Sequence, residues 1–153
     1  MKVKKSNPMA ILPTYAKPGD AGCDVRACLD EPIVLKPGER VLVPTGLVFA
    51  IPEGFECQVR SRSGLALKNG IMVLNSPGTI DSGYRGPVGV VLFNTNKQSY
   101  WEGHRDLSQD LTIRHGDRIA QLVFAPVTTM AFEEAEELDD TERGVGGFGS
   151  SGV

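Results

Sequence analysis

Two apolar runs flank the polar segment Asn75-Ser76-Pro77-Gly78-Thr79-Ile80-Asp81-Ser82-Gly83-Tyr84-Arg85-Gly86. They are Ile71-Met72-Val73-Leu74 and Val88-Gly89-Val90-Val91-Leu92-Phe93, and the pattern predicts two β-strands joined by a connection rich in turn residues. We expect Asp81 to lie inside this apolar hairpin, with Tyr84 near a pocket. A carboxylate in such a place is either an ionised general base or a turn residue that accepts backbone hydrogen bonds.

The rest of the chain predicts an all-β domain. Gly and Pro account for 18 and 10 of the 153 residues, which favours many turns. Short β-like runs recur between the turn signals, with the spacing of a sandwich or barrel. The runs cover residues 33–35, 40–51, 55–61, 88–94, 111–113 and 118–127.

One short helix is predicted over residues 63–68, because Asn69-Gly70 can end it in the left-handed conformation. Its start is chemically more informative than its length. Arg60, Arg62 and the Ser63 hydroxyl lie beside the free N–H groups of the first turn, which is a favourable place for an anion. The alternative is a serine cap beside two solvated arginines.

Charge and cysteine content narrow the class of protein. Residues 133–142 hold seven acids, so the rest of the chain is mildly cationic although the net charge is −3, and a cationic body suits an anionic ligand. The sequence has no long basic run, so it does not indicate nucleic acid binding. Cys23, Cys28 and Cys57 form no Cys-x-x-Cys pair, so we expect reduced, packed thiols. No membrane span or secretory signal is evident, so we expect a cytoplasmic protein without a membrane partner.

Two polar segments stand apart from the predicted strands. Residues 95–109, which include Trp101, are predicted to form a surface loop. The acidic segment 133–142 is either a solvated helix or an extended connector. The glycine-rich tail that follows carries Arg143, Phe148 and two adjacent serines, which suit a lid with groups for phosphate oxygens and a ring to stack on a base. The alternative is a disordered tail without a role.

Five segments, in chain order, resemble the sequence motifs of the trimeric dUTPase family. They are Ala21-Gly22-Cys23-Asp24-Val25-Arg26-Ala27, Arg62-Ser63-Gly64-Leu65-Ala66, Gly78-Thr79-Ile80-Asp81-Ser82-Gly83-Tyr84-Arg85-Gly86, Gly116-Asp117-Arg118-Ile119-Ala120-Gln121-Leu122 and the tail from Arg143. Each motif alone is a weak signal, and the specificity comes from their order and spacing. The resemblance implies an all-β, distorted jelly-roll subunit with one short helix after the second motif, assembled as a homotrimer with shared active sites.

The implied activity is the Mg²⁺-dependent hydrolysis of dUTP to dUMP and pyrophosphate, which keeps uracil out of DNA and supplies dUMP for thymidylate synthesis. The resemblance also divides the chain into a jelly-roll domain over residues 1–132, an acidic connector over 133–142 and a lid over 143–153 that closes on the active site.

The resemblance further assigns roles to single residues. Asp81 would be the general base that activates water for attack on the α-phosphorus, and Asp24 would help hold a hydrated Mg²⁺ through water. Tyr84 would lie under the sugar and exclude a 2′-hydroxyl. The implied phosphate contacts are Arg62, Ser63, Gly64 and Gln121. The implied uracil contacts are Asn75, Gly78, Thr79, Ile80, Asp81 and Gly89. The implied lid contacts are Arg143, Phe148, Gly149, Ser150 and Ser151.

Two alternatives stay open at the level of sequence. A dCTP deaminase would share the jelly roll and parts of the second and third motifs, although Tyr84 stands where deaminases commonly carry tryptophan. A dUTP-responsive regulator would instead bind a protein partner through residues 95–109, a stretch longer than the family pattern, whether or not Asp81 were intact.

Overall fold

The computed structural model describes residues 1–101, 104–105 and 107–147. This part of the chain contains twelve strands and one short helix, α1 (Ser63–Asn69). The strands are β1 (Lys2–Lys5), β2 (Gly22–Arg26), β3 (Ile33–Leu35), β4 (Arg40–Ala50), β5 (Phe55–Arg60), β6 (Ile71–Val73), β7 (Gly78–Ile80), β8 (Val88–Asn94), β9 (Tyr100–Trp101), β10 (His104–Arg105), β11 (Leu111–Ile113) and β12 (Arg118–Pro126). The six predicted strands and the helix are therefore confirmed, each end to within one residue.

Two four-stranded antiparallel sheets enclose the core. Their strand orders are β1-β4-β8-β6 and β2-β12-β5-β7, and two smaller pairs, β3–β11 and β9–β10, complete the fold. Burial alternates along β2 and β8, so each sheet turns one face inward and the other outward. Side chains from both sheets form one apolar cluster, which includes Val25, Phe49, Val59, Leu92 and Leu122. This arrangement confirms the all-β jelly roll.

The predicted hairpin is present, and its connection does more than turn the chain. β6 and β8 pair antiparallel, with Ile71 opposite Asn94 and Val73 opposite Leu92. Between them, β7 crosses to the second sheet and pairs with β5. Asp81 follows the last residue of β7 at that sheet's edge, where it is exposed. The expectation of a buried carboxylate is thus wrong for the single chain, because a residue just beyond an edge strand is not covered by either sheet.

Helix α1 ends as the sequence predicts. Gly70 has φ 64° and ψ 26°, and its N–H donates to the carbonyl of Ala66 at 3.1 Å. At the other end, Arg62 occupies the position before the helix and no side chain caps the first turn. The serine-cap alternative is therefore wrong, because Ser63 is already the first helical residue.

The predicted surface loop at residues 95–109 contains the β9–β10 hairpin, in which Trp101 pairs with His104. Both ends of this insertion are tied to the buried side chain of Asn94. Its Nδ2 donates to the carbonyls of Leu35 at 3.1 Å and Gln109 at 2.9 Å, and its Oδ1 accepts from the N–H of Asn96 at 3.1 Å. One fully buried amide thus closes the base of the insertion.

The three cysteines are buried free thiols, as predicted. Burial, with smaller contributions from Cys23 and Glu56, raises the pKa of Cys57 to about 12. Such a thiol stays protonated and unreactive at neutral pH.

The C-terminal part of the described chain lies outside the sheets. Residues 127–140 form neither helix nor strand and are exposed, which matches the extended alternative for the acidic segment. Phe132 is 100% exposed and Leu138 is 90% exposed. Phe148, Gly149, Ser150 and Ser151 lie outside the described residues. Within the described residues, no helix has the length and apolar character that crossing a membrane requires.

Candidate active site

One carboxylate, Asp24, is shared by two arginines on the outer face of the second sheet. Arg62 Nε donates to Asp24 Oδ1 at 2.8 Å, and Arg118 Nη1 donates to Asp24 Oδ2 at 3.2 Å. Arg62 Nη1 also donates to the main-chain carbonyl of Arg118 at 3.3 Å. The Asp24 side chain is 11% exposed and that of Arg62 is 20% exposed. A partly buried acid thus holds two cations, and the group keeps a net positive charge.

Strand register brings these residues together. Gln121 of β12 lies opposite Asp24 of β2 on one side and opposite Arg60 of β5 on the other. Arg62 follows the end of β5, so it reaches Asp24 across the neighbouring strand. An added Cβ at Gly22 would lie 2.9 Å from Gln121 Oε1, so this glycine leaves room for the Gln121 side chain. Three of the predicted phosphate-side residues, Asp24, Arg62 and Gln121, therefore share one face.

A β-bulge places Arg118 on that face as well. The register of β12 against β2 shifts between Arg118 and Ala120, and both Ile119 and Ala120 are buried. Without the extra residue, strict alternation would turn Arg118 inward. Arg62 and Arg118 line a cleft of about 310 Å³, whose other lining residues are Asp117, Thr112 and five apolar side chains. The contact between Arg118 and Asp24 could not be predicted from the sequence, because the bulge leaves no signature in the fourth motif.

The residues predicted to bind the nucleoside gather elsewhere. Asp81, Tyr84 and Gly89 line a pocket of about 200 Å³, together with Thr79, Ile80, Pro87 and Val88. A tight turn sets the two polar side chains, since the N–H of Tyr84 donates to the carbonyl of Asp81 at 3.1 Å. The Tyr84 hydroxyl donates to the carbonyl of Pro87 at 3.2 Å, and the residue is 47% exposed.

Two glycines near this pocket lie where the chain packs closely. A Cβ at Gly89 would lie 2.7 Å from Leu42 Cδ1, and one at Gly78 would lie 2.9 Å from Asn75 Nδ2. Distances below 3.0 Å cannot be accommodated without a shift of the neighbour. The predicted base contacts Asn75, Gly78 and Gly89 are therefore positions where the chain packs closely.

Asp81 and Arg62 do not meet within one chain. In the β5–β7 pair Ile80 lies opposite Cys57, so Asp81 lies near the start of β5, whereas Arg62 lies beyond its end. The path from Cys57 to Arg62 spans roughly 16 Å at about 3.3 Å per residue. The nucleoside pocket and the phosphate-side cleft are thus separate features of the subunit.

The other predicted residues that the structure describes lie at the start of α1 and in a turn near the C-terminus. Ser63 and Gly64 begin α1 and are exposed. Arg143 Nε donates to the carbonyl of Gly146 at 2.9 Å, within its own turn, so among the described residues it is not brought to the rest of the site.

The donor set argues for an indirect metal contact. Among the described residues, no three Asp, Glu, His or Cys side chains are grouped so that they could hold a metal ion. Asp24 is a carboxylate with two cationic partners, which suits a cation that keeps its water shell and takes phosphate oxygens as its other ligands. These residues fit a hydrated Mg²⁺ that arrives with a phosphate chain.

The fold and the two separate pockets define a jelly-roll protein with two neighbouring arginines at one cleft and a polar pocket beside an exposed carboxylate. A family model described as dUTPase matches residues 9–152. The chain belongs to the dUTPase family.

Curated relatives agree over nearly the whole length. The deoxyuridine 5′-triphosphate nucleotidohydrolase of Desulfotalea psychrophila is 54% identical over 142 residues, which cover 93% of this chain and 87% of the relative. The protein of the same name from Syntrophotalea carbinolica is 49% identical over 152 residues and covers 99% and 96% of the two chains.

Solved structures of phage enzymes share the fold. The dUTPase of Staphylococcus bacteriophage 80alpha with dUPNHPP, described as controlling the transfer of virulence genes by a G protein-like mechanism, has a TM-score of 0.86 and 32% identity, covering 99% of this chain and 98% of its own. A mutant dUTPase of phage phi11 from S. aureus, whose structure details the coordination of a structural Mg(II) ion, has a TM-score of 0.76 and 30% identity, covering 89% and 96%.

Proposed function

We propose that this chain hydrolyses dUTP to dUMP and pyrophosphate, with Asp81 as the general base that activates a water for attack on the α-phosphorus. The observation that carries this assignment is the position of Asp81, a free, exposed carboxylate on the rim of the narrow pocket that Tyr84 and Gly89 also line. A carboxylate there can accept a proton from water beside the bound nucleotide. Family membership supports the reaction and the substrate.

Base selection is the task of the narrow pocket. The backbone of residues 78–81, with Asn75 and Gly89, offers hydrogen-bonding groups to the uracil edge. Cytosine would leave some of these groups unpaired, which rejects it strongly, whereas a methyl group is discriminated by only about 1–3 kcal/mol through loss of contacts. Rejection of thymine therefore depends on steric exclusion by the residues that line the pocket, among them Ile80 and Val88.

Tyr84 is the proposed sugar contact. Its hydroxyl is fixed to the carbonyl of Pro87, so the ring has a defined place at the pocket. A ring packed under the deoxyribose leaves no space for a 2′-hydroxyl.

The phosphate chain is the proposed ligand of Arg62 and the residues around it. Arg62, Ser63, Gly64 and Gln121 would contact its oxygens, and Asp24 would support a hydrated Mg²⁺ through water. The metal, when bound, would neutralise phosphate charge and align the chain. The two arginines that hold Asp24 already neutralise its charge, which favours an indirect contact over direct coordination.

We further propose a homotrimer with shared active sites. Asp81 and Arg62 lie near opposite ends of β5, so one substrate reaches both groups only if two subunits contribute. Apolar side chains outside the core support association as well, because Leu42 is 63% exposed and Met130 is 71% exposed. In this assembly residues 1–132 form the jelly-roll domain, 133–142 the connector and 143–153 the lid, with Arg143 and Phe148 reaching a bound nucleotide.

The deciding experiment incubates the protein with dUTP, dCTP, dTTP and UTP in the presence of Mg²⁺ and measures pyrophosphate and ammonia separately. We expect pyrophosphate from dUTP alone. Ammonia from dCTP would assign the deaminase alternative, and equal pyrophosphate release from all four nucleotides would remove the proposed base and sugar selection.

A protein-binding role is a second candidate, and the observation in its favour is the β9–β10 hairpin within residues 95–109. The phage 80alpha relative is described as a regulator, and we propose that this insertion binds a protein partner. A replacement of residues 97–107 by a short Gly-Ser linker tests the idea by pull-down with dUTP present. If the variant captured the same partners as the intact chain, the proposed role of the insertion would be wrong.

A further inference from the structure

We infer that Arg118 is a positioning residue that acts through Asp24 to hold Arg62 in the orientation needed for the phosphate chain. The inference rests on the proposed function of the cleft. It goes beyond that function by assigning a task to a residue that need not touch the substrate.

The first step is that the two oxygens of the Asp24 carboxylate bind different arginines. Each of its oxygens has its own arginine, with Oδ1 at 2.8 Å from Arg62 Nε and Oδ2 at 3.2 Å from Arg118 Nη1. An arginine and a carboxylate left to themselves favour a two-bond fork that uses both oxygens. Arg118 donates to the second oxygen and so competes with that fork, and Arg62 makes a single hydrogen bond to the carboxylate.

The second step concerns the donors that Arg62 keeps. A guanidinium has five N–H bonds. Arg62 uses its Nε–H on Asp24 and one Nη1–H on the carbonyl of Arg118, while its side chain lines the cleft. Because the fork with Asp24 does not form, the remaining Nη donors stay available to an anion. Removal of the Arg118 side chain would free Oδ2 to take another of them and would turn the guanidinium towards Asp24.

The third step is the backbone that makes this possible. The bulge between Arg118 and Ala120 brings the Arg118 side chain to the outer face, and the same residue's carbonyl accepts from Arg62. A side-chain substitution leaves the carbonyl contact intact, so it isolates the contact with Asp24. Arg118 is also the more exposed arginine, at 48% against 20% for Arg62, so its replacement need not disturb the core.

The test measures binding of dUpNHpp, the imido analogue of dUTP, and of dUMP, both with Mg²⁺. For Arg118→Gln we expect the dissociation constant of the analogue to rise roughly tenfold, because one charge-assisted hydrogen bond that orients Arg62 is lost. The dissociation constant of dUMP should change by less than about twofold. Arg118→Lys, which keeps the charge at Asp24, should recover part of the loss. Arg114→Gln is the matched control, since Arg114 is an exposed arginine in the turn before β12.

A double-mutant cycle separates an indirect role from a direct one. If Arg118 acts through Arg62, Arg62→Gln/Arg118→Gln should bind the analogue no more weakly than Arg62→Gln alone. Additive losses would mean that Arg118 contacts phosphate itself, and equal losses for dUMP and the analogue with a lower melting temperature would mean a structural role. Either result overturns the inference.

The proposed function is tested apart from this. Failure of the unmodified chain to release pyrophosphate from dUTP would remove the function. An active chain in which Arg118→Gln behaves like Arg114→Gln would remove only the role of Arg118.

Discussion

Arg62 and Asp81 lie near opposite ends of β5, one just after its last residue and the other following Ile80, which pairs with Cys57 near its first. The cation that we propose for the phosphate chain and the carboxylate that we propose for water activation are thus separated by about the length of a strand. Under the proposed function, one subunit therefore supplies two half-sites, and each half is completed by another copy.

Mixing two inactive variants tests this arrangement. In a trimer whose sites each combine Asp81 of one subunit with Arg62 of another, an equal mixture of Asp81→Asn and Arg62→Gln should regain about a quarter of the unmodified activity after random reassembly. The measurement is pyrophosphate release after joint unfolding and refolding, with each variant refolded alone as the control. A mixture that stays as inactive as its components would place both residues of a site in one chain.

Asp81→Asn should keep nucleotide binding and lose turnover, because the amide preserves the shape of the carboxylate but does not accept the proton. We expect kcat to fall roughly 10²–10⁴-fold, the usual contribution of a general base. Asp30→Asn, at another exposed acid, serves as the control and should leave kcat unchanged. Near-normal pyrophosphate release from the Asp81 variant would remove the assignment.

Tyr84→Ala should loosen the preference for dUTP over UTP, because the ring that leaves no room for a 2′-hydroxyl is gone. Tyr84→Phe keeps the ring and loses only the hydrogen bond to the carbonyl of Pro87, so it should keep most of the preference. The ratio of kcat/KM for the two nucleotides is the measurement. An unchanged ratio in the alanine variant would count against the sugar contact.

The raised pKa of Cys57 predicts that the folded state loses stability at alkaline pH. The pKa of this thiol is raised by burial from its ordinary 9.0 to about 12, so the folded state holds the proton more tightly than the unfolded state between these values. The stabilisation is fully present below about pH 9 and is lost as the pH rises towards 12, at up to about 1.4 kcal/mol per pH unit.

Urea unfolding of the unmodified chain and of Cys57→Ala, compared between pH 8 and 11, measures this slope. Other groups titrate in the same range, so the difference between the two proteins is the relevant quantity. It should be constant below pH 9 and shrink above it, and a constant difference throughout would contradict the prediction.

The strands and the helix could be predicted from sequence because their signals are local. The run from Val88 to Phe93 is apolar and follows a segment rich in turn residues, and Gly70 supplies the left-handed residue that ends α1. The exposure of Asp81 could not be predicted, since it depends on β7 leaving one sheet for the edge of the other. The outward position of Arg118 could not be predicted for a similar reason, because the bulge depends on pairing between segments that are distant in the sequence.

The site residues divide in the same way. Family likeness named Asp24, Arg62 and Gln121, and strand register brings them to one face. What sequence could not indicate is that Asp24 has two arginine partners, since three side chains from separate strands meet only after the sheet has formed.

The hydrogen bonds of Asn94 allow the insertion to vary during evolution. Since a single buried amide joins the entry and the exit of residues 95–109 to the body, the intervening segment can grow, shrink or change composition while the sheet below keeps its hydrogen bonds. Lineages can therefore diversify this appendage at little cost to the scaffold, and new surface recognition can arise there without rebuilding the chemistry elsewhere.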